Sequence, residues 1–331
     1  MSKKIRWGIL STARIGVSSL IPAVRETDHG EIVAIASRSQ ESADAFATEH
    51  DIPLAFGDYA SMLASNDVDA VYNPLPNTLH AEWTALAANQ GKHIFCEKPL
   101  AVSAVEAQDM IDTCQVAQVS LTEAFVFLFH PQTLKLRELL DQGVIGDVLQ
   151  TQAHFTFHIA RPSDNIRLNK DLGGGGLLDA GVYPITYTRF LFGEEPIAIQ
   201  AAVHTDAHHH VDTRASVIMI FAENRFATIQ TGMDALGGPG VTVFGTDGHI
   251  QIPQPYHPRG ASQFTVHTKA GAETFTFDLG LHPFTPAVAQ FQDHLLNGEP
   301  LLATGQNAVG TLRVVEAIHE SSQTGQRIDL P

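Results

Sequence analysis

Between residues 5 and 124 the chain alternates short β-branched apolar runs with longer stretches of helical periodicity, and this rhythm constrains the fold more than anything else in the sequence. The runs 5–10, 31–37, 70–73, 93–96 and 119–123 read as strands. The segments 15–26, 41–50, 61–65, 78–89 and 103–115 read as helices, several ending near Gly or Asn. Strands joined through helices pair in parallel by right-handed crossovers, so residues 1–124 are expected to form an α/β doubly wound parallel sheet. Beyond a helix at 132–142 the pattern changes. Strand runs at 148–157, 197–204, 216–221, 226–231, 241–245, 264–268 and 274–279, several alternating with period two, suit a mostly antiparallel open sheet. With helices near 177–191, 286–296 and 308–322 covering one face, residues 125–331 are expected to be an α+β substrate-binding and oligomerisation domain.

A length of 331 residues and an apolar content of 44% supply two cores and exclude a disordered chain. A net charge of −16 repels phosphate backbones and anionic bilayers, so neither nucleic acid nor a membrane is an expected partner. The basic start Lys3, Lys4, Arg6 leads into an apolar run that stops at Leu10, too short for a leader, and no apolar stretch nears the ~18 residues of a span. Cys96 and Cys114 are too few for a disulfide framework and fit a reducing cytoplasm.

Behind the first strand run stands Gly8-Ile9-Leu10-Ser11-Thr12-Ala13-Arg14-Ile15-Gly16. Against the G-x-G-x-x-G dinucleotide fingerprint the three glycine positions hold Ser11, Ala13 and Gly16. Small residues still permit a tight turn that brings backbone N–H groups and a helix start to a pyrophosphate. That makes the first domain a Rossmann-type NAD(P)-binding domain, with Ser11, Thr12, Ala13, Arg14 and Ile15 as cofactor contacts. The second strand ends in Ser37-Arg38-Ser39, without the carboxylate that holds an NAD ribose. A guanidinium there suits a 2′-phosphate, so Ser37 and Arg38 favour NADP, with NAD as the alternative.

Further motifs are Asn73-Pro74-Leu75-Pro76-Asn77-Thr78-Leu79-His80, Glu97-Lys98-Pro99-Leu100, Glu123-Ala124-Phe125, Phe129-His130-Pro131, Asn165-Ile166-Arg167-Leu168 and Asp179-Ala180-Gly181-Val182-Tyr183. Together they resemble the glucose-fructose oxidoreductase and inositol dehydrogenase family (Gfo/Idh/MocA), most closely its branch of NADP-linked D-xylose and trans-dihydrodiol dehydrogenases. The resemblance spans essentially the whole chain. It implies a nicotinamide cofactor contacted by Pro74, Leu75, Asn77, His80, Glu97 and Lys98, a sugar or diol held by Lys98, Arg167, Asp179 and Tyr183, and a cis Lys98–Pro99 bond. One departure is Phe127-Leu128, where many relatives of this branch carry an aromatic residue and then Arg.

Oxidising an alcohol by hydride transfer needs a base for the hydroxyl proton and a positive charge for the developing alkoxide. Lys98, at the carboxyl end of a parallel strand, is expected to supply the charge. A phenol becomes a base only below its unperturbed pKa of ~10, which a nearby ammonium favours, so Tyr183 is the expected base. Asp179, four residues earlier, shares a helical face with Tyr183 if the helix holds, whereas Pro184 predicts a kink or break. The expected activity is NADP-dependent hydride transfer to or from a sugar or polyol, D-xylose 1-dehydrogenase-like. The alternatives are a dihydrodiol dehydrogenase, a glucose-fructose-type oxidoreductase, or a non-catalytic dinucleotide or sugar sensor.

The run Gly173-Gly174-Gly175-Gly176 reads as a flexible approach that lets backbone pass close to cofactor or substrate. His204 and His208-His209-His210 lack metal-ligand spacing, so no metal is expected. An open sheet with an apolar outer face predicts a homodimer, or a dimer of dimers, through that face.

Overall fold

The computed structural model describes residues 4–161, 163–258 and 260–331; Lys3 of the basic start lies outside them. The chain forms two compact units, Met1–Phe129 with Gly280–Ala308, and His130–Leu279 with Val309–Pro331. The segment Gly280–Ala308 returns to the first unit because its helix Thr285–Asn297 carries Phe291 into the core. There the Phe291 ring lies 5.7 Å from those of Trp7 and Phe95. The linear rhythm, which sets the division at 124/125, has no way to signal such a return.

The first unit contains strands β1 (Ile5–Leu10), β2 (Gly30–Ala36), β3 (Leu54–Phe56), β4 (Ala70–Asn73), β5 (His93–Cys96) and β6 (Leu121–Glu123). Between them run α1 (Ile21–Arg25), α2 (Gln40–Glu49), α3 (Tyr59–Leu63), α4 (His80–Asn89) and α5 (Ala104–Val116). The sheet order is β3-β2-β1-β4-β5-β6 with parallel pairing, which is the doubly wound Rossmann arrangement expected. Central β1 is covered on both faces, and Trp7, Ile9 and Leu10 are fully buried. Ser39 and Ser103 start α2 and α5 by accepting the N–H groups of Ser42 and Glu106. Strand β3, three residues long, is absent from the sequence reading because so short a run carries no periodicity.

The second unit opens with α6 (Pro131–Asp141) and holds α7 (Val182–Phe192) and the helix end that follows Ala308. Its strands are β7 (Val148–His158), β8 (Ala198–Thr205), β9 (Asp212–Ile220), β10 (Phe226–Gly232), β11 (Asp234–Gly245), β12 (Gly248–Ile252), β13 (Ala261–Thr268), β14 (Gly271–Asp278) and β15 (Ile328–Asp329). They form one sheet in the order β14-β13-β12-β11-β7-β10-β9-β8-β15, mostly antiparallel with β7 and β10 parallel. β15 pairs only Ala198 and Ile199 of β8, and farther along that strand the N–H groups of Ala201 and Val203 donate to the hydroxyls of Ser321 and Ser322, which blunts the rest of the edge.

One expectation is corrected and a second is made specific. The outer sheet face is not predominantly apolar: along β9, Ala215, Val217 and Met219 are buried while Arg214, Ser216 and Ile218 face out. Gln152, His154 and Gln230 on β7 and β10 are likewise exposed, because antiparallel alternation sends polar side chains to the solvated face. At Pro184 the expected kink or break takes the form of a change of helix type. Residues Leu177–Gly181 form a widened π-type turn and α7 then runs on unbroken. Pro184 falls in the first turn of α7, where a missing N–H costs no α-helical bond.

Candidate active site

Parallel pairing places the carboxyl ends of β1, β2, β4 and β5 on one edge of the first unit's sheet, with Leu10 beside Ala36, Ile9 beside Tyr72 and Asn73 beside Cys96. The predicted cofactor residues therefore leave the sheet together: Ser11–Ile15 after β1, Ser37 and Arg38 after β2, Pro74, Leu75, Asn77 and His80 after β4, and Glu97 and Lys98 after β5. The order reverses between β1 and β4, the switch point where doubly wound sheets hold ligands.

Ser11 has φ +80°, the left-handed conformation that the first fingerprint glycine usually supplies. Its hydroxyl accepts the N–H of Ala13 at 3.3 Å, so serine keeps the turn and its backbone exposure. Ser37 is buried whereas Arg38 is exposed, and the guanidinium's field reaches the Tyr59 phenol. This edge fits an NADP: a turn of small residues leading into a helix, then an arginine where a carboxylate would repel the 2′-phosphate.

Lys98 sits on a turn tied on both sides. Before it, buried Glu97 accepts the hydroxyl of Tyr72 at 2.6 Å and the N–H of Lys98 at 3.3 Å. After it, the cis Lys98–Pro99 bond implied by the resemblance is present, and buried Glu123 accepts the N–H of Leu100 at 2.8 Å. His80 is fully buried, its ring nitrogens 2.8 Å from the carbonyl oxygens of Pro99 and Leu75. Burial, aided by the charge on Lys98, pulls this imidazole below its ordinary value against the carbonyls that favour its charged form. His80 thus pins the β4 turn to the β5 turn. Burial pushes the thiol of Cys96 far up and that of Cys114 to about 12, so neither is a nucleophile. Phe127 and Leu128 are both buried.

In the second unit, Arg167 Nε donates to Asp179 Oδ2 at 2.6 Å, and the guanidinium lies 6.0 Å from the Phe157 ring centre. Tyr183 is 7% exposed, with its hydroxyl 2.9 Å from Nε2 of His257 and its ring 5.4 Å from that of Phe155. The glycine run serves packing within this unit. A Cβ on Gly174 would lie 2.5 Å from the Arg167 carbonyl oxygen, and one on Gly175 2.5 Å from Asp212. The expected close approach is thus to the Asn165–Asn169 turn and to a buried carboxylate. His204 bonds Thr213, while His209 bonds Asp206, whose carboxyl is held well below its usual range by the N–H and ring of His209 and by Arg161.

Sequence reasoning missed Asp212 and His257. Asp212 accepts the N–H of Leu177 at 2.6 Å and so anchors the turn that carries Asp179. Its position was one acidic residue at a strand start, and its partner lies 35 positions away. His257 follows β12 in a proline-rich loop, 74 positions from Tyr183, with no local signal.

A Rossmann sheet with a dinucleotide turn and a clamped lysine at the switch-point edge, with a second unit carrying a half-buried Arg–Asp pair and a tyrosine paired with a histidine, defines a nicotinamide-dependent oxidoreductase. Residues 5–125 match the model of the oxidoreductase family with an NAD-binding Rossmann fold, and residues 133–251 that of the GFO/IDH/MocA C-terminal domain. The chain belongs to the GFO/IDH/MocA oxidoreductase family. It is 36% identical to D-xylose 1-dehydrogenase (NADP(+)) 2 of Haloferax volcanii over 98% of this chain and 99% of that one. It is 36% identical to the trans-1,2-dihydrobenzene-1,2-diol dehydrogenase of Xenopus tropicalis over 75% of each. Among solved structures it is similar to KijD10, a 3-ketoreductase from Actinomadura kijaniata in complex with NADP and TDP-benzene. That likeness has a TM-score of 0.88 at 29% identity and covers 96% of this chain and 98% of that one. No helix among the described residues is long and apolar enough to cross a membrane.

Proposed function

We propose that this chain is an NADP-dependent dehydrogenase for a small sugar or polyol, D-xylose being the first candidate. The reading rests on Lys98, clamped at both flanks on the sheet edge that also carries the dinucleotide turn. The cofactor is NADP, held by Ser11–Ile15, by Ser37 and Arg38 at the ribose phosphate, and by the turns after β4 and β5. When bound it accepts hydride from the substrate carbon. Lys98 stabilises the negative charge that develops on the substrate oxygen. Tyr183 takes the hydroxyl proton. Asp179 and Arg167 bind neighbouring hydroxyls as acceptor and donor.

A panel of aldoses, deoxysugars and diols with NADP and with NAD, followed by formation of reduced nicotinamide, tests this. Turnover should favour an aldose with NADP, and Tyr183→Phe should lower kcat by ~10²–10⁴-fold. Turnover confined to aromatic diols would move the assignment to a dihydrodiol dehydrogenase. Cofactor retained through gel filtration with hydride passing between two sugars would favour a glucose-fructose type. Absence of turnover on every compound would leave a sensor. The same reading includes assembly as a homodimer, or a dimer of dimers, through the outer sheet face, where Ile218 and Phe226 are exposed among polar neighbours. A monomer in sedimentation at micromolar concentration would contradict it.

A further inference from the structure

Hydride transfer from an alcohol leaves a proton behind, and Tyr183, 7% exposed, has little solvent contact through which to shed it. His257 has that contact. It is an exposed residue whose Nε2 lies 2.9 Å from the Tyr183 hydroxyl. The two rings pack with centroids 4.6 Å apart, and Phe155 on β7 holds both, at 5.4 Å from Tyr183 and 5.7 Å from His257. Three elements thus fix the pair: β7, α7 and the loop after β12. A surface histidine meeting a tyrosine by accident would have no such support.

We propose that His257 is the proton acceptor behind Tyr183, completing a relay from substrate to solvent; this rests on the dehydrogenase reading above. The C–H bond breaks and its hydrogen leaves with both electrons for the oxidised nicotinamide. The substrate O–H proton moves to the Tyr183 oxygen as the tyrosine's own proton moves to Nε2 of His257. The imidazole, on an exposed residue, then passes a proton on to solvent. The sum is alcohol plus oxidised cofactor giving carbonyl, reduced cofactor and one proton. His257 acts through Tyr183 and is a positioning residue that need not touch substrate.

The test uses His257→Ala and His257→Gln beside Tyr183→Phe and the unaltered enzyme. Both His257 variants should lower kcat roughly 10- to 100-fold, less than loss of the base itself, with the sugar KM within about threefold. Added imidazole should restore most of the rate to His257→Ala and none to Tyr183→Phe, which a purely structural role for His257 would not produce. In cofactor-free protein carrying isotope-labelled histidine, the nitrogen signal that vanishes in His257→Gln should shift in Tyr183→Phe. Unchanged kcat in both His257 variants, or a loss that imidazole leaves untouched, overturns the relay while the dehydrogenase reading stands. Failure of the unaltered enzyme to reduce NADP with any alcohol overturns the reading, and the relay falls with it.

Discussion

The cofactor edge of the first unit and the Tyr183 face of the second are built by different means. In the first, the fold does the positioning: parallel pairing brings four strand ends to one edge whatever side chains they carry, and the functional groups hang on the turns that follow. In the second, nothing about a mostly antiparallel sheet creates a site. Side chains from distant segments assemble one, with Asp212 anchoring the turn before α7, Arg167 pairing Asp179 and His257 meeting Tyr183. A site inherited from topology should fail when the sheet fails, and one assembled by partners should fail partner by partner.

The largest effect is expected where topology itself is struck. Trp7→Ala empties a fully buried site between Phe95 and Phe291 and should cost about 3–5 kcal/mol, measured by denaturant unfolding. Loss of NADP binding should follow that unfolding. Retained stability would break the comparison at its first arm. Arg38→Ala leaves the sheet intact and removes the proposed charge-assisted contact to the 2′-phosphate, worth roughly 1.5–3 kcal/mol, so the KM for NADP should rise ~10–100-fold while that for NAD stays put.

On the other face, Asp212→Ala orphans the N–H of Leu177 and should cost about 1–3 kcal/mol. Burial holds the Asp212 carboxyl above its ordinary value, with the nearby His319 opposing. A carboxyl whose folded pKa exceeds its unfolded one favours folding fully below the unfolded value and loses that advantage as pH rises through the folded one. Melting temperatures from acidic to neutral pH should therefore fall more in the natural protein than in Asp212→Asn. Equal slopes would contradict the assignment. The smallest effect belongs to Ser11→Gly, which relieves a left-handed serine and should gain at most ~1 kcal/mol in thermal unfolding.

The same difference explains what the sequence could reveal. Strand ends, the Ser11–Gly16 turn, Arg38 and the Glu97-Lys98-Pro99 motif are local patterns, and their meeting place follows from parallel pairing alone. Tyr183 and Asp179 were legible as residues, but the neighbours that fix them were not. Asp212 and His257 lie 35 and 74 positions from their partners, a separation that periodicity cannot span. The glycine run looked like freedom and turned out to be tight packing, because a missing Cβ reads the same in sequence for either use. Strand β3, three residues long, falls below the length at which alternation is visible.

The most direct measurement is the rate of NADP reduction on an accepted sugar by the natural protein and by Lys98→Met, with melting curves recorded on both. The account predicts rapid formation of reduced cofactor by the former and a loss of ~10²-fold or more in the latter at unchanged melting temperature. A Lys98→Met protein that reduces NADP at the natural rate would show that the ammonium takes no part in the chemistry.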